Sequence, residues 1–392
     1  MEFVANDALD NFVFPNNLHI VWSLMITIYP FITGLIAGAF IVSTLSHVMK
    51  IKEFEPLAKF ALVAAFCFGL FAAVPLLVHL GQPQRAFEIY FTPHTTSAMS
   101  VFGYVYGGYM ILLTIELWFV YREYFIKMFN ESRGLARAIW YTLSIGIRSY
   151  HPDAHVVDRR STYILSLIGI PWAFLLHGYV GFVFGSVKAI PWWATALQPI
   201  IFLSSAVVSG MAMLMLLYSF IKWRSREPVD YVMIKKFAAI LWGIFIIDGG
   251  LELLELVHVW YRNDYDWTQI EPLITGPLFF SYVVLQLLIL SLIPFIFLGI
   301  AVLGEVGNKA TYYLSNIGAA VLVMQVLVMR WNVVVGGQLI SKSGRGFVHF
   351  DWLIWGKEGI LMSLLILSMP FVVYYIVSRF LPIFEKEETV TW

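Results

Sequence analysis

The chain has 392 residues, of which 60% are hydrophobic and 13% charged, and its mean hydropathy of +0.78 is far too apolar for a soluble domain. Lys plus Arg and Asp plus Glu balance at 25 each, so a net charge of zero points to no nucleic-acid partner and to no strongly charged ligand. A single cysteine, Cys67, excludes a self-contained iron–sulfur cluster, a CxxCH haem attachment and an intrachain disulfide.

The first 17 residues carry Glu2, Asp7 and Asp10 but no Lys or Arg, unlike a cleaved signal peptide, so insertion is expected to begin with the first helix. Counting about 20 apolar residues per crossing predicts about nine spans. They fall at 19–49, 57–80, 98–121, 161–186, 193–222, 235–261, 274–303, 312–335 and 360–382. The expected fold is an all-α polytopic transmembrane helix bundle. Between the third and fourth spans, Trp140, Leu143 and Ile147 recur at helical spacing within 133–150, which predicts an amphipathic helix on the inner surface. Small residues four apart, Gly34 with Gly38 and Gly103 with Gly107, predict close helix approach. No internal repeat or linker interrupts the chain.

Loop charge sets the expected orientation. Loops 50–59 (Lys50, Lys52, Lys59), 122–160 (seven Lys or Arg) and 222–236 (Lys222, Arg224, Arg226, Lys235, Lys236) are basic, whereas 80–97, 187–192 and 262–273 carry only Arg85, Lys188 and Arg262. The positive-inside rule then puts the N-terminus outside and the C-terminus inside the cytoplasmic membrane. The loop with Lys342, Arg345 and Lys357 goes against the pattern, and its charge would suit an acidic partner.

The sixth span holds the anomaly. Asp248, Glu252, Glu255 and His258 sit near about 0°, 40°, −20° and −80° around one helix and climb about 15 Å along it. An ionised carboxylate facing lipid would cost about 2.5–3.5 kcal/mol, so this ladder must face protein or water. Either a proton or ion route or a polar seam gluing helices together fits the pattern.

Nine histidines invite the reading of a haem-bearing cytochrome. Two haems need histidine pairs at both membrane depths, yet His19, His79, His177 and His258 all fall in the outer half and only His47 near the inner end. With Asn16, Glu255 and Asp248 they suggest instead a polar pocket open to the outer interface and continuing inward as an acidic path.

After the second span the chain reads His79-Leu80-Gly81-Gln82-Pro83-Gln84-Arg85, then Thr95-Thr96-Ser97-Ala98-Met99-Ser100. This combination resembles the LG-x-P-x-R and S-P-M-S signatures of the NrfD/PsrC family, membrane subunits of polysulfide reductase-like complexes. Residues 28–38, His177-Gly178-Tyr179-Val180-Gly181 and Arg330-Trp331-Asn332 through Gln338 resemble that family's first, fourth and eighth helices. Gln82, Gln84 and Ala98 depart from its usual residues. An extra span closing on Arg379-Phe380-Leu381-Pro382 is similar to longer members such as the DsrP-type subunit of DsrMKJOP complexes.

The resemblance implies an eight-helix core of two four-helix bundles plus a C-terminal helix. It divides the chain into an outer segment 1–18, a quinone-interacting core 19–340, and an outer loop, last helix and inner tail 341–392. It implies menaquinone or another quinone as ligand, with no haem or iron–sulfur cluster on the chain itself. The implied partners are a ferredoxin-like 4Fe-4S subunit on the outer face and further cytochrome and membrane subunits. Asn16 and His19, one helical turn apart, and Tyr179 would hold the quinone head, with His79, Arg85 and His177 around it. His19, Asp248, Glu252, Glu255 and His258 would handle protons. A secondary transporter or proton channel without redox chemistry, or a structural anchor, are the alternatives.

Overall fold

The computed structural model describes residues 19–47, 54–344 and 346–384. Among them, nine helices are long and apolar enough to cross a membrane. The spans are α1 Leu24–His47, α2 Glu55–Ala72 with its continuation α3 Val74–His79, and, after the short α4 Glu88–Phe91, the long α5 Ala98–Glu131. A surface helix α6 Gly134–Leu143 precedes α7 Pro152–Gly185, α8 Gln198–Ser225 and α9 Tyr231–Arg262. The short α10 Tyr265–Thr275 leads into α11 Phe279–Leu303, α12 Asn308–Val334 and α13 Ile360–Phe380.

Local chemistry marks the ends. Ser97 accepts from the Ser100 amide at the start of α5, Asp230 from Val232 and Met233 at the start of α9, and Asp264 from Asp266 at the start of α10. Arg226 (φ 55°) and Asn263 (φ 46°) close α8 and α9 in the left-handed conformation. Several helices outrun their apolar stretches. Helix α7 starts at Pro152, ahead of the expected 161, because its first turns are polar and lie beyond the apolar core. Helix α10 was not expected, being short and interrupted by Pro272.

Helices α1, α2, α5 and α7 pack in one ring, and α8, α9, α11 and α12 in a second. The rings join where α1 and α7 meet α8 and α1 meets α12, while α13 packs outside on α2 and α1. This is the expected pair of four-helix bundles with a C-terminal helix. Glycine sets the junction. A Cβ on Gly38 would lie 2.6 Å from the Gly210 Cα, so the α1 and α8 backbones touch. Gly103 and Gly107 serve another purpose than the expected span-to-span contact. A Cβ on Gly103 would lie 2.9 Å from Ile89, and Tyr90 Oη donates to the Gly103 carbonyl at 3.1 Å, so the pair receives α4.

One end of the bundle gathers the start of α1 and the loops after α3, α7, α10 and α12. Trp22 stacks on Trp193, the Ile20 amide donates to the His349 carbonyl at 3.3 Å, and Ser23 Oγ lies 3.4 Å from His79 Nδ1. We call this the N-terminal face. At the opposite face Arg122 pairs with Asp158 at 2.8 Å, and Tyr121 Oη donates to the Pro382 carbonyl.

Candidate functional site

The ladder on α9 runs from core to surface. Asp248 is 1% exposed, Glu252 and Glu255 are half-buried, and His258 is exposed. Ser204 Oγ on α8 donates to one Asp248 oxygen, and the other oxygen has no protein partner.

On the next residue of α8, Ser205 Oγ accepts from Arg330 at 2.7 Å. Arg330, fully buried on α12, also donates to the Phe202 carbonyl at 3.1 Å, lies 3.2 Å from His177 Nε2, and sits 3.9 Å above the Phe202 ring. A guanidinium only donates, so His177 Nε2 accepts and the imidazole proton sits on Nδ1, which is buried without a partner. Arg330 lies within coulombic reach of Asp248 and Glu252, which supplies the counter-charge that buried carboxylates require. It therefore ties the α7 histidine to the α9 acids across the seam between bundles.

A second hydrogen-bonded series reaches Glu252. Asn332 Nδ2 donates to the Ser281 carbonyl at 3.1 Å and to Gln286 Oε1 at 2.7 Å, and Gln286 Nε2 donates to Glu252 Oε2 at 3.0 Å. Gln286 lies in Phe279–Leu290, where α11 is wound as a π-helix, a wide turn often found at functional sites. Its carbonyl is held by Ser291 Oγ at 2.8 Å.

This series forms one wall of a cleft, partly open to the surroundings and lined also by Trp192, Ile201, Leu256, Tyr282 and Met329. Helix α9 packs on the Ser291–Leu303 half of α11, where Trp242 Nε1 donates to the Phe295 carbonyl at 3.0 Å. The π-helical half packs on α12 and α10 instead, and the cleft lies where α9 and α11 part. Glu255 also lines an adjoining cavity at the N-terminal face with His258, Arg262 and Asp266. The acids thus connect the buried centre to that face.

The other expected site residues lie apart from the cleft. Asn16 is outside the described residues. His19 is not helical: its segment runs alongside His349, and its Nδ1 pairs with Asp351 at 3.0 Å; its expected pairing with Asn16 lies outside the described residues. His79 pairs with Glu358 at 3.4 Å. Arg85 is exposed and forks onto Glu88 at 2.8 and 2.9 Å, and this bond holds the Glu88 carboxyl below its ordinary range. Tyr179 is half-buried and stacks on Phe102. His177 is fully buried against Arg330, which corrects its placement in an open polar pocket. A further buried acid, Glu116, accepts from Ser166 at 2.5 Å inside the first bundle, and Arg122 pairs with Asp158.

Gln286 and Ser204 are not singled out from the sequence, and Arg330 and Asn332 enter it only through the family-like eighth helix, without a role at the site. The signal existed, since an arginine deep in an apolar span is as costly as an acid.

The family model described as Polysulphide reductase, NrfD matches residues 13–342. The chain belongs to this family. It is 28% identical over 389 residues to a selenate reductase subunit of Mesobacillus selenatarsenatis, covering 94% of this chain and 87% of that protein. It is 23% identical to the Hdr-like menaquinol oxidoreductase integral membrane subunit of Archaeoglobus fulgidus, over 58% of this chain and 49% of that one. It is 22% identical to a putative dimethyl sulfoxide reductase membrane subunit of Halobacterium salinarum, over 63% and 54%. The chain thus spans about half the length of these last two relatives. With nine such apolar helices among its described residues, this NrfD-family chain is a multi-pass membrane subunit of a redox complex.

Proposed function

We propose that this subunit passes electrons between a quinone, such as menaquinone, and an iron–sulfur subunit docked on its N-terminal face, which lies outside the cytoplasmic membrane. The observation that carries the reading is the run of acids on α9, from buried Asp248 to half-buried Glu252 and Glu255, the last two lining a cleft whose neighbouring cavity lies at that same face. Oxidation of a quinol releases two electrons and two protons. The electrons leave to the partner's cluster, and the protons need bases within hydrogen-bond reach. His19 is the proposed base at the head, and Asp248, Glu252, Glu255 and His258 carry the protons onward. Tyr179 and His79, with Asn16, His19 and Arg85, are the groups proposed to meet the quinone head. His177, through Arg330, couples that helix to Asp248. The Archaeoglobus relative, named as a menaquinol oxidoreductase subunit, supports menaquinone as the ligand.

The test is Asp248→Asn in the purified complex. Quinol-dependent reduction of the iron–sulfur spectrum should slow by about 100-fold, the lower range for loss of a general base, with assembly intact. An unchanged rate and proton stoichiometry would remove the acids from the mechanism. An iron–sulfur spectrum indifferent to quinol in the unaltered complex would favour an ion transporter or an anchor.

A further inference from the structure

We infer that the cleft between α9 and α11 is itself a binding site, separate from the Tyr179 region, for an aromatic head bearing hydroxyl groups on an apolar tail, the chemistry of a quinol. The ligand class rests on the quinone reading above; the site rests on geometry.

Two acceptors in the cleft wall are buried and without a protein partner, Glu252 Oε1 and Asn332 Oδ1. Asn332 is 1% exposed, and such orphans are rare enough in native interiors that each implies an absent partner. Gln286, the amide between them, gives one N–H to Glu252 Oε2 and its oxygen to Asn332 Nδ2, and its second N–H reaches neither orphan. What completes the wall must therefore bring donors, and a hydroquinone brings two hydroxyls where an oxidised quinone brings none. The opposite surfaces are aromatic and apolar. Trp192 and Tyr282 stand edge to face at 5.2 Å, and Trp192 is fixed by donating to the Asn332 carbonyl at 3.0 Å. A few convergent polar groups in an otherwise apolar cavity are the usual form of a small-ligand site.

The access suits a membrane-dissolved ligand. Beside the cleft, α9 and the π-helical half of α11 expose Leu253, Val257, Phe279 and Phe280, an apolar surface that suits a tail. The π-helical winding is what sets Gln286 at this depth, and a regular α-helix would turn later residues to other faces.

The experiment uses the intact complex in nanodiscs and a photoreactive menaquinol carrying an azide on its ring, followed by peptide mapping. Label is expected on peptides holding Trp192, Tyr282 or Met329, competed by unlabelled menaquinol. It should fall at least tenfold both in Asn332→Leu, which removes the acceptor together with the amide's bonds to Ser281 and Gln286, and in Val259→Trp, which fills the cleft from α9 without touching those hydrogen bonds. The iron–sulfur spectrum of each variant reports assembly. Label confined to Tyr179 peptides would overturn the cleft site while leaving the quinone reading standing. Label nowhere in the chain would overturn the quinone reading itself. Cleft label that persists in both variants, or that phospholipid alone displaces, would overturn the hydroxyl-headed assignment.

Discussion

Arg330 is the residue on which the buried electrostatics turn. Its guanidinium is fully enclosed, its Nη2 lies against Ser205, Phe202 and His177, and its charge faces Asp248 and Glu252. Removing one side of a buried charge set leaves the other uncompensated, at about 3–5 kcal/mol. Arg330→Met should therefore lower thermal stability sharply in detergent, and Asp248→Asn added to it should restore part of the loss. Strict additivity of the two in a double-mutant cycle would show that they do not interact. Ser204→Ala isolates the hydroxyl that holds Asp248. It should cost about 1–3 kcal/mol for the unmade buried bond and slow quinol turnover less than Asp248→Asn does. A rate as low as that of Asp248→Asn would mean that the hydroxyl matters as much as the acid. The acids were legible because charge in an apolar run stands out in a sequence. Their partners were not, because Ser204, Gln286 and Asn332 are ordinary polar residues until folding sets them beside Asp248 and Glu252.

At the scale of elements, the contact between α1 and α8 holds the two bundles together. Gly38 and Gly210 lie so close that any Cβ meets backbone rather than a movable side chain. Gly38→Val should destabilise the chain by at least the roughly 1–3 kcal/mol typical of overpacking, read as a loss of folded protein on gel filtration. Gly81, around which a Cβ would meet nothing within 4 Å, is the control and should tolerate alanine. The four-residue glycine spacing correctly marked a close approach at Gly34 and Gly38. At Gly103 and Gly107 the same spacing marked a seat for α4, because spacing says only that a helix face is narrow and not what will occupy it. The π-helical winding of α11 left no trace in composition: Phe279–Leu290 reads as a plain apolar run, and its hydrogen-bond register follows from packing.

For the whole molecule, the nine spans among the described residues and the loop charges underlie the proposed orientation, with the N-terminal face outside. Cys67, the sole cysteine, is buried, so new cysteines report cleanly. In intact cells an impermeant maleimide should label Thr92→Cys at the N-terminal face and should reach Ser225→Cys, at the other, only after permeabilisation; the reverse would invert the topology. Sequence alone determined the class, the span count, the ladder and the family resemblance, because membrane insertion imposes a length and polarity code that each segment must satisfy by itself. It also placed the four ladder residues on one face. Only the tertiary structure decided what that face meets: Asp248 against Ser204 and the charge of Arg330, Glu252 against Gln286, and a cleft where α9 and α11 part. Those pairings join positions from 34 to more than 80 residues apart, from Glu252 with Gln286 to Asp248 with Arg330, and no periodicity in a single chain encodes which helices become neighbours.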